Sequence, residues 1–471
     1  MMLDQDRFFP ADPTTRSIAR RLYKEIAELP LVCPHGHTNP AWFATNEKFT
    51  DPAELLVTPD HYILRMLVSL GIDHAMLGVA TKDGAPTNID GRQIWRLVAE
   101  NFYLFRSTPV RHWMDHTLET LFGIDAPLTA SNADKSYDTI AEALQTDAFR
   151  PRALYDRFNI EVIATTDSCL DDLQHHATVK DSAWKGRVIP TYRPDCVTDP
   201  DSPGFLQSLA ALGDLTGEDT FTWQGLLGAH RKRRKLFIEF GATATDHGHP
   251  TALTCDLSPS ECKALFADIC TGRATSEQKE QFRGQMLTEM ARMSLEDGLV
   301  MQLHVGSVRN HSTEIFKRFG PDMGFDIPSR VNFVHALRPL LNAHGHDPRL
   351  SLIVFTLDES VYGRELAPLA AAYPCLRLGP AWWFFDSPDG MRRYREITTE
   401  TAGYYNTAGF NDDTRALPSI PARHDLARRI DCAFLARQVA EARLGEDEAA
   451  EVIVELSYHL AKRAYRLGEN P

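Results

Sequence analysis

Short, mostly apolar runs that end in polar or glycine-bearing turns recur along the chain. The first four are "LVCPHGH" (31–37), "EVIATTD" (161–167), "VIPTYRPD" (188–195) and "LFIEFGAT" (236–243). Four more follow: "LVMQLHVG" (299–306), "SLIVFTLD" (351–358), "CLRLGPAWW" (375–383) and "YYNTAGFNDD" (404–413). Their apolar character is continuous rather than alternating, which suits strands covered on both faces, as in a parallel sheet. Helix-like stretches lie between most of them, such as "SEQKEQFRGQMLTEMARMSLEDG" and "RHDLARRIDCAFLARQVAEARLG". Strands alternating with helices predict βα units, and eight of them predict an α/β fold of the (β/α)8 barrel type. A doubly wound open sheet would show a glycine-rich phosphate loop after an early strand, and neither G-x-G-x-x-G nor G-x-x-x-x-G-K-[ST] is present.

One connection breaks the rhythm. About 120 residues separate the first run from the second, and they read as helices: "DPAELLVTPDHYILRMLVSLGI", "DGRQIWRLVAENFYLF" and "PVRHWMDHTLETLFGI". The expected organisation is an N-terminal helix and first barrel strand (1–40), a helical, lid-like insertion (41–155), and the rest of the barrel with C-terminal helices (156–471). An insertion at that point sits over the barrel mouth, where such segments carry function.

Composition narrows the partners. The 471 residues carry a formal charge of −14, which speaks against nucleic acid or an anionic membrane surface as a target. The basic run "RKRRK" (231–235) stands against that trend and reads as a solvated helix end leading into a strand. No apolar stretch reaches the length of a membrane span, and the N-terminus lacks the pattern of a signal peptide. The eight cysteines are scattered without a C-x-x-C pair, as reduced thiols of a cytoplasmic protein would be.

The candidate chemistry clusters at the ends of the runs, where barrel enzymes place it. His35 and His37 are two apart on a strand, so both imidazoles face one way and can meet one cation; imidazole suits zinc and other borderline metals. His304 in "MQLHVG" offers a third nitrogen, and Asp412 or Asp413 a carboxylate. The second H-G-H, His247–Gly248–His249, follows the fourth run by several residues and reads as a loop, so the metal is not assigned to it. Arg193, Arg309 and Arg415 all fall at the expected mouth, and guanidinium is the preferred fork for a carboxylate or phosphate. His61, Tyr62 and Arg65 share one helical turn, with Tyr62 an acid–base candidate. The aromatic run "AWWFFD" (381–386) could form a sugar-stacking surface. Hydrolase signatures H-E-x-x-H and G-x-S-x-G are absent.

Together these segments closely resemble the uronate (glucuronate) isomerase family, an outlying branch of the amidohydrolase superfamily. The likeness runs through "LPLVCPHGH", "DHYILRML", "STPVRHWMDHTLETLFGI", "PTYRPD", "ATDHG", "MQLHVGSVRN", "GPAWWFFDSPDGM" and "DDTRALPSIPARHDLARRI". It implies a TIM barrel of the metal-dependent hydrolase type with a large insertion after strand one. The implied reaction is aldose–ketose isomerisation of D-glucuronate to D-fructuronate, and of D-galacturonate to D-tagaturonate, through an enediol. The resemblance also implies one divalent metal, zinc, on His35, His37 and Asp413, with His304 at a further ligand position. Asp413, Tyr62, Arg415 and His61 would do the proton work, and Arg193, Arg415, Trp382 and Arg309 would bind substrate. The partner is then a small sugar acid, and a homo-oligomer is compatible with it. The fourth run lacks a terminal lysine and the sixth a terminal histidine, which separates this chain from binuclear hydrolases. Two rivals remain open, a metal-dependent hydrolase and a non-catalytic sugar-acid binding protein. In this chain Asp386–Ser387 stands where the family often has Asn-Asp.

Overall fold

The computed structural model describes residues 2–84, 87 and 89–468. Its first strand, Leu31–Cys33, is buried along its length and pairs in parallel with the second, Ile160–Ala164. The second and third strands each have two pieces: Ile160–Ala164 continues as Asp167–Ser168, and Val188–Ile189 continues as Tyr192–Arg193. Parallel pairing then runs through Ala244–His247, Val300–Leu303, Leu352–Val354 and Leu376–Leu378, in sequence order. Helices intervene between successive strands, as parallel crossovers require. The arrangement is an α/β barrel scaffold with its strand ends on one side.

Two expected strands differ. The eighth run forms no ladder: Thr407 makes a single parallel bridge to Leu378, and farther on Thr414 C=O accepts from His37 N–H at 2.9 Å. The last segment thus touches the seventh strand and the turn that follows the first, without a strand pair closing the sheet among the described residues. The fourth run is mostly helix. Residues 236–239 end the helix Trp223–Glu239, capped at its start by Thr222, and the strand is the next segment, Ala244–His247. "RKRRK" therefore lies inside a helix rather than leading into a strand. Nor is it simply solvated, because Arg233 and Arg234 are buried and Arg234 pairs with Asp297 at 2.6 Å.

The segment between the first and second strands is helical as expected, with Pro40–Thr45, Pro52–Leu56, His61–Val68, Gly91–Asn101, Pro109–Phe122, Ala133–Leu144 and Pro151–Arg157. Proline at the first position and an acceptor just before it begin several of these helices, where proline's missing N–H costs nothing. Trp95, Phe102, Phe105 and Leu118 of this segment share one apolar cluster with Val32, Val162 and Phe355 of the barrel. The helices are thus anchored on the scaffold by common burial.

Candidate active site

Ten of the side chains singled out from the sequence line one cavity of about 380 Å³ at the C-terminal ends of the strands, and Asp412 and Arg65 do not. Each arrives by a local route. His35 and His37 leave the first strand through the Pro34 turn, and His304 follows the fifth strand. Arg193 ends the third strand. Asp60 caps the helix His61–Val68, accepting from Tyr62 N–H at 2.8 Å, and this starts the helix so that its first turn carries His61 and Tyr62 over the mouth. Asp413 adopts a left-handed backbone (φ 41°), which aspartate tolerates better than most residues.

The metal-competent grouping is tight. Asp413 Oδ1 lies 3.5 Å from His35 Nε2 and 3.4 Å from His37 Nε2. That oxygen is buried and has no hydrogen-bond partner, the state expected of a carboxylate built to receive a cation. Burial lowers the pKa of both histidines, and the charge of Arg415 helps push that of His37 well below its ordinary value. Both are therefore neutral ligands near pH 7. Two imidazoles and a carboxylate fit a divalent transition metal.

His304 joins a second grouping, with His35 and Asp246. Its Nδ1 faces Asp246 Oδ1 at 2.5 Å, its ring stacks on His35 at 4.4 Å, and its Nε2 has no partner. Asp246 is completely buried. Burial alone would raise its pKa, but His304 and Arg193 outweigh that and hold it well below the usual carboxylate range.

Three arginines ring the cavity, each already facing a carboxylate. Arg193 donates to Asp195 at 2.8 Å and lies 3.3 Å from Asp246. Arg309 lies 3.3 Å from Asp326, and Arg415 lies 3.1 Å from Asp322. Asp322 sits on a left-handed loop residue (φ 64°) and is the most exposed of these acids. Gly248 makes the crowding feasible: an added Cβ would stand 2.3 Å from Arg193 Nη2 and 2.9 Å from Asp195 Oδ2.

Tyr62 is placed in the cavity but its hydroxyl is engaged, donating to Asp386 Oδ2 at 2.6 Å. Arg423 lies 3.4 Å from the same oxygen and over the Trp113 ring at 3.7 Å. Burial and Asp386 raise the Tyr62 pKa well above its ordinary value, so the group is a proton donor rather than a standing phenolate. Burial also raises Asp386. His61 is different: both ring nitrogens are buried without partners, the ring stacks on Tyr62 at 4.7 Å, and Trp383 meets it edge-on at 5.0 Å. Burial and Arg415 keep it neutral, offering one donor and one acceptor to a guest. Trp382 meets His304 at 4.7 Å.

Sequence reasoning missed Asp246, Asp195, Asp322, Asp326 and Trp383, which line the same cavity. The second H-G-H is a loop only in part, because the fourth strand runs as far as His247, and Gly248 and His249 lie beyond it. His247 ends the fourth strand, fully buried, and contacts Thr245 Oγ1 at 3.0 Å, while His249 contacts Thr198 Oγ1 at 3.0 Å. Neither is in a metal-competent grouping among the described residues.

Comparison with known proteins bears directly on this cavity. Residues 7–465 match the family model described as glucuronate isomerase. A uronate isomerase of Rhizobium meliloti (strain 1021) is 61% identical over 466 residues, covering 99% of each chain. A crystal structure of glucuronate isomerase from Caulobacter crescentus matches with a TM-score of 0.98 and 55% identity, over 100% of this chain and 98% of that one. A uronate isomerase from Thermotoga maritima matches with a TM-score of 0.91 at 26% identity, over 99% and 100% of the two chains.

Proposed function

The chain belongs to the glucuronate isomerase family, and from that premise we propose how its cavity interconverts the aldose and ketose forms of a uronate. The observation that carries the reading is the convergence of His35, His37 and Asp413 with three arginines and an unpartnered His61 in one cavity.

The open-chain aldehyde must lose a proton from C2 while O1 gains one, giving an enediol; O2 then loses its proton as C1 receives one. The number of hydrogens is unchanged. Such a step needs a base at C2, a donor at the oxygens and positive charge for the developing enediolate. Arg193 and Arg415 supply the charge and hold the substrate carboxylate, with Arg309 next to them. For Arg415 this means exchanging Asp322 for the guest's carboxylate. Asp413 is the base, and Tyr62 donates at an oxygen, its loss buffered by Asp386 and Arg423. Neutral His61 and the ring of Trp382 orient the hydroxyls. His35, His37 and Asp413 would hold one divalent ion, zinc by the donor set, with His304 near the same point. When bound, the ion would polarise substrate oxygens as a Lewis acid.

The helical segment 41–155 serves as the cover of this site, since it supplies His61 and Tyr62 and buries them against Trp383 and Trp113. No helix among the described residues is long and apolar enough to cross a membrane. The reading places the enzyme in the cytoplasm, acting on free sugar acid.

The test is purified protein with D-glucuronate, and separately D-galacturonate, followed by NMR. Appearance of a ketouronate of the same mass supports the reading. No ketouronate from either sugar, with or without binding, defeats it.

A further inference from the structure

Beside the catalytic cavity, two cysteines that are 27 apart in sequence are brought together by the barrel. Cys169 follows the second strand's outer piece and Cys196 follows the third's, and their sulfurs lie 3.7 Å apart. Cys169 N–H donates to Arg193 C=O at 2.9 Å, which ties the two segments in register. Cys169 is fully buried, whereas Cys196 is partly exposed and has Ser168 Oγ 3.8 Å from its sulfur. No second pair of cysteine sulfurs is in contact among the described residues.

We propose that Cys196 and Cys169 are an oxidation site, in which a peroxide converts Cys196 to a sulfenic acid and Cys169 resolves it to a disulfide. In the first step the Cys196 sulfur attacks one peroxide oxygen, the O–O bond breaks, and water (or an alcohol) leaves. In the second the Cys169 sulfur attacks the Cys196 sulfur, the S–O bond breaks and water leaves. Two thiols and hydrogen peroxide give one disulfide and two waters, the thiols losing two electrons to the peroxide.

The division of labour follows the geometry. The attacking sulfur has to be the accessible one, and the resolving sulfur needs only to be adjacent. The Cys169 thiol, donating to Cys196, brings the Cys196 pKa down to about 7 against the effect of burial, with Ser168 assisting. Closing the sulfurs from 3.7 Å to a bond of about 2.05 Å takes roughly 1.6 Å out of their separation, shared between rotation of the two side chains and movement of the segments that carry them.

That movement has a target. Cys196 directly follows Asp195, which accepts from Arg193 Nε at 2.8 Å and from Gly248 N–H at 3.1 Å. Oxidation therefore shifts the carboxylate that aims Arg193 into the cavity. This consequence rests on the proposed role of Arg193; the thiol chemistry does not.

The two are separated by measuring both. The intact protein is treated with hydrogen peroxide, alkylated, digested and read by mass spectrometry, and isomerase turnover is followed in parallel. A peptide pair joined through Cys169 and Cys196 is expected, cleaved by dithiothreitol, with turnover falling at least fivefold and returning on reduction. Cys169→Ser should stop at a sulfenic acid trapped by dimedone on Cys196, and Cys196→Ser should show neither product while keeping its basal turnover. Free thiols at both positions after peroxide has oxidised other cysteines would overturn the proposal, as would a dimedone adduct confined to those others. A disulfide with unchanged turnover would uphold the oxidation site and overturn its coupling to Arg193.

Discussion

Gly248→Ala perturbs the arginine cluster without touching a charged group. An alanine Cβ there would stand 2.3 Å from Arg193 Nη2, far inside van der Waals range. Restoring a contact of about 3.5 Å requires the guanidinium to retreat by roughly 1.2 Å. The backbone at Gly248 is not in the left-handed region, so the substitution adds no strain of its own. The crowding is greatest at Arg193, and it also reaches Asp195 Oδ2 at 2.9 Å and Arg309 Nη2 at 3.2 Å, so it falls on the arginine cluster and its carboxylates. If Arg193 positions the substrate as proposed, a displacement of that size costs about 100-fold in rate, or roughly 2.7 kcal/mol of transition-state stabilisation. The assay is kcat/KM for uronate isomerisation alongside thermal unfolding. Gly36→Ala is the matched control, because its Cβ would make only ordinary contacts, to Thr414 C=O at 3.5 Å, Thr414 N at 3.7 Å and Asp412 Oδ1 at 3.8 Å. The expected pattern is a loss near 100-fold for Gly248→Ala, less than about fivefold for Gly36→Ala, and melting temperatures close to wild type for both. A Gly248→Ala enzyme within twofold of wild type would refute the placement of Arg193 at the substrate. Equal losses in the two variants would show that crowding at Arg193 is not the cause.

Asp413→Asn should abolish turnover and lower the content of bound divalent metal, read by elemental analysis; full activity would remove Asp413 from both roles. Tyr62→Phe removes the shorter of two hydrogen bonds to buried Asp386 Oδ2 and leaves only Arg423 at 3.4 Å, so a stability loss of about 1–3 kcal/mol is expected by urea unfolding, with turnover down more than tenfold. Asp322→Asn releases Arg415 from its resident carboxylate, so KM should fall severalfold with kcat little changed; a raised KM would instead make Asp322 part of the substrate site. Acid sensitivity follows from buried histidines. Burial pushes His116 and His176 down to about 4 and His230 and His247 down to about 3, so each binds a proton more readily when unfolded. Stability contributed this way is complete above the unfolded value near 6.5 and is lost as pH falls, by up to about 1.4 kcal/mol per pH unit for each group. Asp167, raised to about 7 by burial, opposes this with the contrary sign, as do Asp60, Asp115, Asp326 and Asp386, also raised by burial, but among the described residues they are outnumbered by the histidines that burial pushes down. Unfolding free energy measured in urea should therefore drop between pH 7 and pH 5, and a rise would contradict the balance.

The cavity's principal residues were legible because each stands where an apolar run gives way to a turn, and the sheet brings those ends together. His35, Arg193 and His304 illustrate this, one from each of three strands. The fourth strand was misplaced for the same reason in reverse. Its segment, Ala244–His247, carries Asp246 and His247, so it is polar by hydropathy, while the preceding "LFIEF" is apolar because Phe237 buries a helix face. A strand whose own residues are polar is the one least visible as a strand. Asp195, Asp322 and Asp326 were missed on different grounds. They act by pairing with arginines, and the Arg415–Asp322 pair joins residues far apart in sequence through loops that carry no periodicity. The engaged state of Tyr62 was equally invisible, since Asp386 lies 324 positions away.

The most direct test of the central claim uses D-glucuronate carrying deuterium at C2, converted by the wild-type enzyme in ordinary water and read by NMR and mass spectrometry. Proton transfer through an enediol between C2 and C1 predicts a ketouronate that has lost all deuterium from C2, with at least part of the label exchanged for solvent hydrogen at C1. Quantitative delivery of the label to C1, as a hydride shift would give, or a product differing in mass by more than the label, would contradict the account.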